Sequence, residues 1–190
     1  MTLNPADDRF IAHLCQNLPE RLFSAASQKY LEEPRGRWSG QNAWLARPET
    51  TKEVSLLVKA ASAAHVPILP YGGGTGLVGG QIMPDGASPL ILSLERMNKI
   101  RDVYASENVL IAEAGAILSD IQTAAASVDR LFPLSLASEG TAQIGGNLAT
   151  NAGGINVLRY GNARDLCIGL EAVLPDGTIW NGLSRLRKDN

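Results

Sequence analysis

Behind Asn4-Pro5, apolar residues fall at Phe10, Ile11, Leu14 and Leu18, a helical spacing. This predicts an amphipathic helix with Asn4 as N-cap and Pro5 in its first turn, ended by Pro19. The pattern then weakens to Gly40, with a short helix expected around Ala26 to Glu33 and a short strand at Ala43 to Ala46. Thr50-Thr51-Lys52-Glu53 is a capping box, and Val54, Leu57, Val58 and Ala61 supply the apolar stripe of a helix ending near Ala64. Val66 to Leu69, Leu90 to Leu94, Asn98 to Val103 and Val109 to Ala114 read as strands, and Ile117, Leu118, Ile121 and Ala125 as another helix. Leu166 to Leu174 and Thr178 to Trp180 flank Pro175-Asp176-Gly177, a hairpin turn. Helices and strands mix without regular alternation, so the expected class is α+β.

Glycine changes this picture from a fold into a site. The chain holds 19 glycines, and they concentrate at Gly72 to Gly80 and Gly140 to Gly161. Clustered glycine lets backbone approach a ligand closely. With 190 residues, 45% of them hydrophobic, and a net charge of −2, the chain has neither a basic groove for nucleic acid nor an apolar run of the ~18 residues a membrane helix needs. A small molecule is the expected partner. Cys15 and Cys167 form no CxxC pair and have no histidine cluster beside them, which argues against a zinc site and for a reduced, cytoplasmic location.

Pro70-Tyr71-Gly72-Gly73-Gly74-Thr75-Gly76-Leu77-Val78-Gly79-Gly80 follows a strand, and its consecutive glycines can turn several N–H groups inward as an anion-binding nest. Gly74 to Gly79 also matches the GxGxxG spacing, with Glu95 near the place of a ribose-binding acid. That fingerprint needs a helix to open at the loop, and Gly79, Gly80, Pro84, Gly86 and Pro89 forbid one. A P-loop fails because no Lys-Ser or Lys-Thr follows the glycines. The bland alternative, a ligand-free surface turn, would lose backbone entropy for nothing.

The second cluster runs from Pro133 to Gly154 and mixes glycine with short hydrogen-bonding side chains; alone it could equally be a packed loop with caps at Thr141 or Asn147. Three segments together, PYGGGTGLVGG (Pro70 to Gly80), EGTAQIGGNLATNAGG (Glu139 to Gly154) and RYGNARDLCIGLEAVLPDGTI (Arg159 to Ile179), resemble the FAD-binding domain of the vanillyl-alcohol oxidase and p-cresol methylhydroxylase flavoproteins. The likeness is strongest to their D-2-hydroxy-acid dehydrogenase branch, of D-lactate, D-2-hydroxyglutarate and glycolate type. An ether-lipid synthase, an enolpyruvyl-sugar reductase and a truncated nucleotide-binding module remain as alternatives.

The resemblance implies that Gly72, Gly73, Gly74, Thr75, Gly76 and Leu77 hold the FAD pyrophosphate. Ser138, Thr141, Gly145, Gly146, Asn147, Thr150, Asn151, Ala152 and Gly153 would line the flavin and ribityl chain. Tyr160 and Gly161 would close that pocket, and Ile179 would lie near the dinucleotide. The hydrophobic pattern predicts a helical N-terminal segment over 1–42, and the resemblance, which covers 43–190, implies an incomplete FAD domain there, with the substrate domain absent and the chain alone inactive. Relatives that bind flavin covalently do so through a histidine at the first glycine loop or a cysteine before the second cluster. This sequence has neither, so its FAD is expected to be non-covalent, with His13 and His65 structural or exposed and Cys167 a packed strand residue. No catalytic residue or metal ligand is assigned.

Overall fold

The computed structural model describes residues 2–185, so residues 186–190 of the expected domain lie outside it. The chain divides into two compact units, Met1–Arg96 with Ala172–Trp180, and Met97–Glu171 with Asn181–Asn190.

The first unit is built on a four-stranded mixed sheet of β1 (Phe23–Ala25), β2 (Trp44–Ala46), β3 (Ile68–Tyr71) and β4 (Leu90–Ser93), in the order β1-β2-β4-β3. β4 pairs in parallel with β2 and β3, while β1 runs antiparallel to β2. All four residues of β4 are buried, which explains why it opens with the apolar run Leu90 to Leu92 rather than an alternation. Helix α1 spans Asp8–Leu14, the single turn α2 spans Gln28–Leu31, and α3 spans Thr51–Ala64. The capping box of α3 forms as expected: Thr50 Oγ1 accepts the Glu53 N–H at 3.2 Å, and Glu53 Oε2 accepts the Thr50 N–H at 3.1 Å. Its buried stripe is Val54, Leu57 and Ala61.

The first helix departs from the reading of its sequence. Asp7 is its N-cap, accepting the Phe10 N–H at 2.9 Å, and Asn4 lies before it. Asn4 donates instead to the other kind of helix end, from its N–H to the His65 carbonyl and from Nδ2 to the Ala64 carbonyl, each at 2.9 Å. A carboxylate suits a helix N-terminus better than a neutral amide, and an amide can serve the orphan carbonyls where a carboxylate cannot.

The second unit contains the antiparallel pair β5 (Ile100–Tyr104) and β6 (Val109–Ala112), followed by α4 (Leu118–Ala126), α5 (Ile144–Ala149) and the short turn α6 (Val157–Tyr160). Asn108 closes the β5–β6 turn with φ 55°, a conformation asparagine tolerates, and the Arg130 guanidinium fixes it with a 2.6 Å bond to Asn108 Oδ1. Leu118 on α4, Leu134 and Ala163 form the core, with Leu136, Leu148 and Ala152 packed against it. A hairpin of β7 (Leu170–Val173) and β8 (Ile179–Gly182) turns at the expected Pro175-Asp176-Gly177, where Gly177 has φ 85°. The turn belongs to the first unit, and Ser55 on α3 donates to the Gly177 carbonyl at 2.5 Å.

Candidate functional site

β3 ends at Tyr71 and delivers the chain into the first glycine loop, which contains no helix from Gly72 to Pro89. Among the described residues, none of the backbone N–H groups from Gly73 to Gln81 donates to a carbonyl or a side chain of the chain. Gly76 to Val78 and Gly80 are exposed, so these donors stand free to meet an acceptor-rich ligand. Two carbonyls of the same loop are held: Gln81 Nε2 lies 2.9 Å from the Gly76 carbonyl and 3.5 Å from that of Gly74. Gly74 adopts φ 71°, and a Cβ there would collide with the Tyr71 hydroxyl. That hydroxyl is itself fixed by donating to the Lys29 carbonyl at 2.7 Å. Gly79, at φ 74°, lies under the Trp38 ring, which a Cβ would meet at 3.0 Å.

Glu95 has another task than the ribose one its position suggests. Its carboxylate lies 2.9 and 2.8 Å from the Tyr30 hydroxyl, 3.4 Å from Arg47 and 3.6 Å from Lys29. Burial, the hydrogen bond to Glu95 and its charge push the Tyr30 hydroxyl up to about 12. Burial, and then the Glu95 charge, raise Tyr71 as well. Tyr30 and Tyr71 meet edge to face with centroids 4.9 Å apart, so the network behind the loop is one packed cluster.

In the second unit, the second glycine segment becomes α5 and its flanking turns. Ser138 opens a turn whose carbonyl accepts the N–H groups of Thr141 and Ala142 at 2.9 and 2.8 Å. Gln143, rather than Thr141 or Asn147, is the N-cap residue of α5. The Gly145 N–H donates to the Ala114 carbonyl at 2.8 Å, and a Cβ at Gly145 would stand 2.8 Å from Ala114 Cβ, so the close approach there needs glycine at position 145. Gly146 accepts from the Thr150 hydroxyl at 2.9 Å. Asn147 is buried, and its Oδ1 has no hydrogen-bond partner among the described residues. Asn151 takes φ 51° and leads into Ala152 and Gly153. At the far end Gly161, with φ 79°, terminates α6 directly after the partly exposed Tyr160. Ile179 stands on β8, exposed.

Three supports of the site have no role assigned from the sequence. Gln81 is one and Tyr71 another. The third is Arg164, whose Nε and Nη2 bind the Leu148 and Ala149 carbonyls at 3.0 and 2.8 Å while its N–H binds Asn151 Oδ1 at 3.1 Å. Cys167 differs from its expected setting: it follows the 3₁₀ turn Ala163–Leu166, ahead of β7, and is half-buried with its thiol donating to the Gly169 carbonyl. His65 closes α3 in the left-handed region at φ 55°, and His13 sits in the last turn of α1. Among the described residues no cluster of metal-ligating side chains occurs, and no helix is long and apolar enough to cross a membrane.

A family model described as FAD binding domain matches residues 43–182. The chain is 38% identical over 184 residues to the mitochondrial D-2-hydroxyglutarate dehydrogenase of Bos taurus, covering 95% of this chain and 33% of that protein. It is 41% identical over 146 residues to the mitochondrial enzyme of the same name from Rattus norvegicus, with 77% and 27% covered. A putative mitochondrial D-lactate dehydrogenase of Schizosaccharomyces pombe is 38% identical, with 81% and 29% covered. The chain thus spans about a third of the length of these curated relatives. In fold it matches alkyldihydroxyacetonephosphate synthase with a TM-score of 0.80 at 19% identity, over 95% of this chain and 35% of that one. Wild-type Phl p 4.0202, a glucose dehydrogenase, matches with a TM-score of 0.77 at 20% identity, over 91% and 37%. The α+β reading and the flavoprotein resemblance therefore hold. The cytoplasmic location does not, because these relatives are named mitochondrial. Two cysteines without a disulfide do not tell one compartment from another.

Proposed function

The chain belongs to the FAD binding domain family, and on that premise we propose that it is the cofactor-holding part of an FAD-dependent dehydrogenase of D-2-hydroxy acids. The observation that carries this reading is the run of free N–H donors from Gly73 to Gln81 on a loop in which the carbonyls of Gly74 and Gly76 turn onto Gln81. Such a loop fits a pyrophosphate, whose oxygens only accept. The residues present fit the rest of FAD as well: Gly145 leaves no room for a Cβ, and the unpartnered Oδ1 of buried Asn147 makes α5 polar where a plain packing helix would be apolar.

In this reading Gly72 to Leu77 bind the pyrophosphate, and Ser138, Thr141, Gly145 to Asn147 and Thr150 to Gly153 line the ribityl chain and flavin, with Tyr160, Gly161 and Ile179 at its margins. Bound FAD supplies the hydride acceptor for oxidation of the substrate's α-carbon. The chain's own residues bind and orient it. The named relatives support D-2-hydroxyglutarate or D-lactate as the acid, while a glycolate type rests on the motifs alone.

Titrating the purified 190-residue chain with FAD tests the reading. Flavin fluorescence should be quenched saturably, the melting midpoint should rise, and acid precipitation should release all flavin into the supernatant. Neither quenching nor a shift in melting at saturating FAD would sink the assignment, and flavin held in the washed pellet would sink its non-covalent form.

A further inference from the structure

Resting on the reading that the Gly72 to Leu77 loop receives the FAD pyrophosphate, we propose that Gln81 is a positioning residue that aims the N–H groups of Thr75 and Leu77 at that group. The peptide bond is planar. In a trans peptide the carbonyl of one residue and the N–H of the next point in opposite directions. The carbonyl of Gly74 shares its plane with the N–H of Thr75, and that of Gly76 with the N–H of Leu77. Gln81 Nε2 draws both carbonyls to one point, at 3.5 and 2.9 Å, and so turns both N–H groups outward. Two carbonyl acceptors identify the facing atom as the amide nitrogen, which alone of the two ends of the side chain donates, and which has two protons for two partners.

Gln81 can impose this geometry because it stands on an anchored arm and not on the loop tip. The next residue, Ile82, is buried, and its N–H closes a turn onto the Gly79 carbonyl at 3.0 Å. Gly79 in turn is pressed under Trp38. On the other side, Gly74 is confined by the Tyr71 hydroxyl. Gln81 lies five positions after Gly76, so the side chain closes the loop on itself without help from a distant element. A loop of glycines otherwise samples many conformations, and each one frozen before the ligand arrives removes an ordering cost from binding.

The test compares the 190-residue chain with Gln81→Ala and with Gln81→Glu, a near-isostere that keeps the packing and removes the donor. Affinity for FAD and for ADP, which carries the pyrophosphate without flavin, should fall together by about tenfold in Gln81→Ala and further in Gln81→Glu, whose carboxylate repels both the carbonyls and the ligand. Ligand-free melting midpoints should stay within about 2 °C of wild type, as a loop tie outside the core would leave them. Unchanged FAD affinity in both variants overturns the proposal, as does weakened FAD binding with ADP unaffected, or a loss that merely follows a lower ligand-free midpoint. Wild-type chain that binds FAD but not ADP overturns it too, while wild-type chain that binds neither overturns the FAD reading with it.

Discussion

The hydroxyl of Tyr30 stands 2.9 and 2.8 Å from the two carboxylate oxygens of Glu95, a residue 65 positions further along the chain. Through the edge-to-face contact of Tyr30 with Tyr71, this pair supports the end of β3 from which the first glycine loop departs. The sign of its pH dependence follows from the raised Tyr30 value of about 12 against an ordinary 10.0. The folded chain holds the proton more tightly than the unfolded one, so the stabilisation is complete below pH 10 and is lost as pH rises from there towards 12. Tyr71 is shifted in the same direction and adds to the loss. Melting midpoints measured in alkali should fall across that window. In Glu95→Gln the tyrosinate absorbance should appear at lower pH, while staying above the ordinary range because burial, the largest cause, remains. An unshifted tyrosine titration in wild type would contradict the assignment.

Two glycines test whether the loops are built for close approach. Gly74→Ala forces a Cβ into the left-handed region, a cost of about 1–2 kcal/mol, and against the Tyr71 hydroxyl. FAD affinity should drop, and Tyr71→Phe should restore part of it by making room. Gly145→Ala is a sharper case, because inside a helix alanine is favoured over glycine by about 1 kcal/mol. Here the new Cβ would meet Ala114 Cβ at 2.8 Å and its carbonyl at 3.0 Å, so the substitution should destabilise in spite of propensity. Adding Ala114→Gly should recover part of the melting midpoint and leave the carbonyl contact as the remainder. A gain in stability from Gly145→Ala alone would refute the contact.

Arg164 holds α5 by its final carbonyls. Arg164→Ala should lower the melting midpoint by about 2–4 °C and loosen the turn at Asn151. Arg164→Lys should not rescue it, since an ammonium cannot match a fork that reaches two carbonyls at once. Hydrogen exchange at Ala149 to Ala152 is the local readout, and unchanged protection there would argue that the arginine only decorates the surface.

What the sequence made legible was what acts over a few residues. Thr50 and Glu53 are neighbours in both sequence and space, and Pro175-Asp176-Gly177 meets its own turn, so both were readable. Asn4 was misplaced because its partner, the Ala64 carbonyl, is 60 residues away, and an asparagine before a helix looks the same whether it caps that helix or another. Glu95 was open to a ribose role for the same reason: Tyr30 and Arg47, which engage it, are distant in sequence. Gln81 and Arg164 bond to backbone carbonyls, which every residue carries, so no pattern of residue types announces them. Within the site, glycine clustering pointed to the loops, while the residues that hold those loops in shape emerged only from their packing.

Hydride transfer from a D-2-hydroxy acid needs its α-carbon held within near-attack distance of the acceptor, a cation to fix the carboxylate and a base within reach of the hydroxyl proton. Among the described residues, the basic side chains near the second glycine segment are occupied otherwise. Arg164 spends its guanidinium on the carbonyls of Leu148 and Ala149, and Arg159 lies over the Tyr160 ring at 5.3 Å. Neighbouring carboxylates occupy others, as with Arg47 at Glu95 and Arg101 at Glu113. The chain also spans only about a third of its dehydrogenase relatives. We therefore expect the 190-residue chain, saturated with FAD, to bind cofactor yet reduce no dye when given D-2-hydroxyglutarate or D-lactate. A longer protein containing this chain should do so if the proposed function is correct. Steady, FAD-dependent dye reduction by the short chain would reverse the expectation. Arg159→Ala would then be the first variant to make, because exchanging a ring contact for a substrate carboxylate costs less than breaking the carbonyl ties of Arg164.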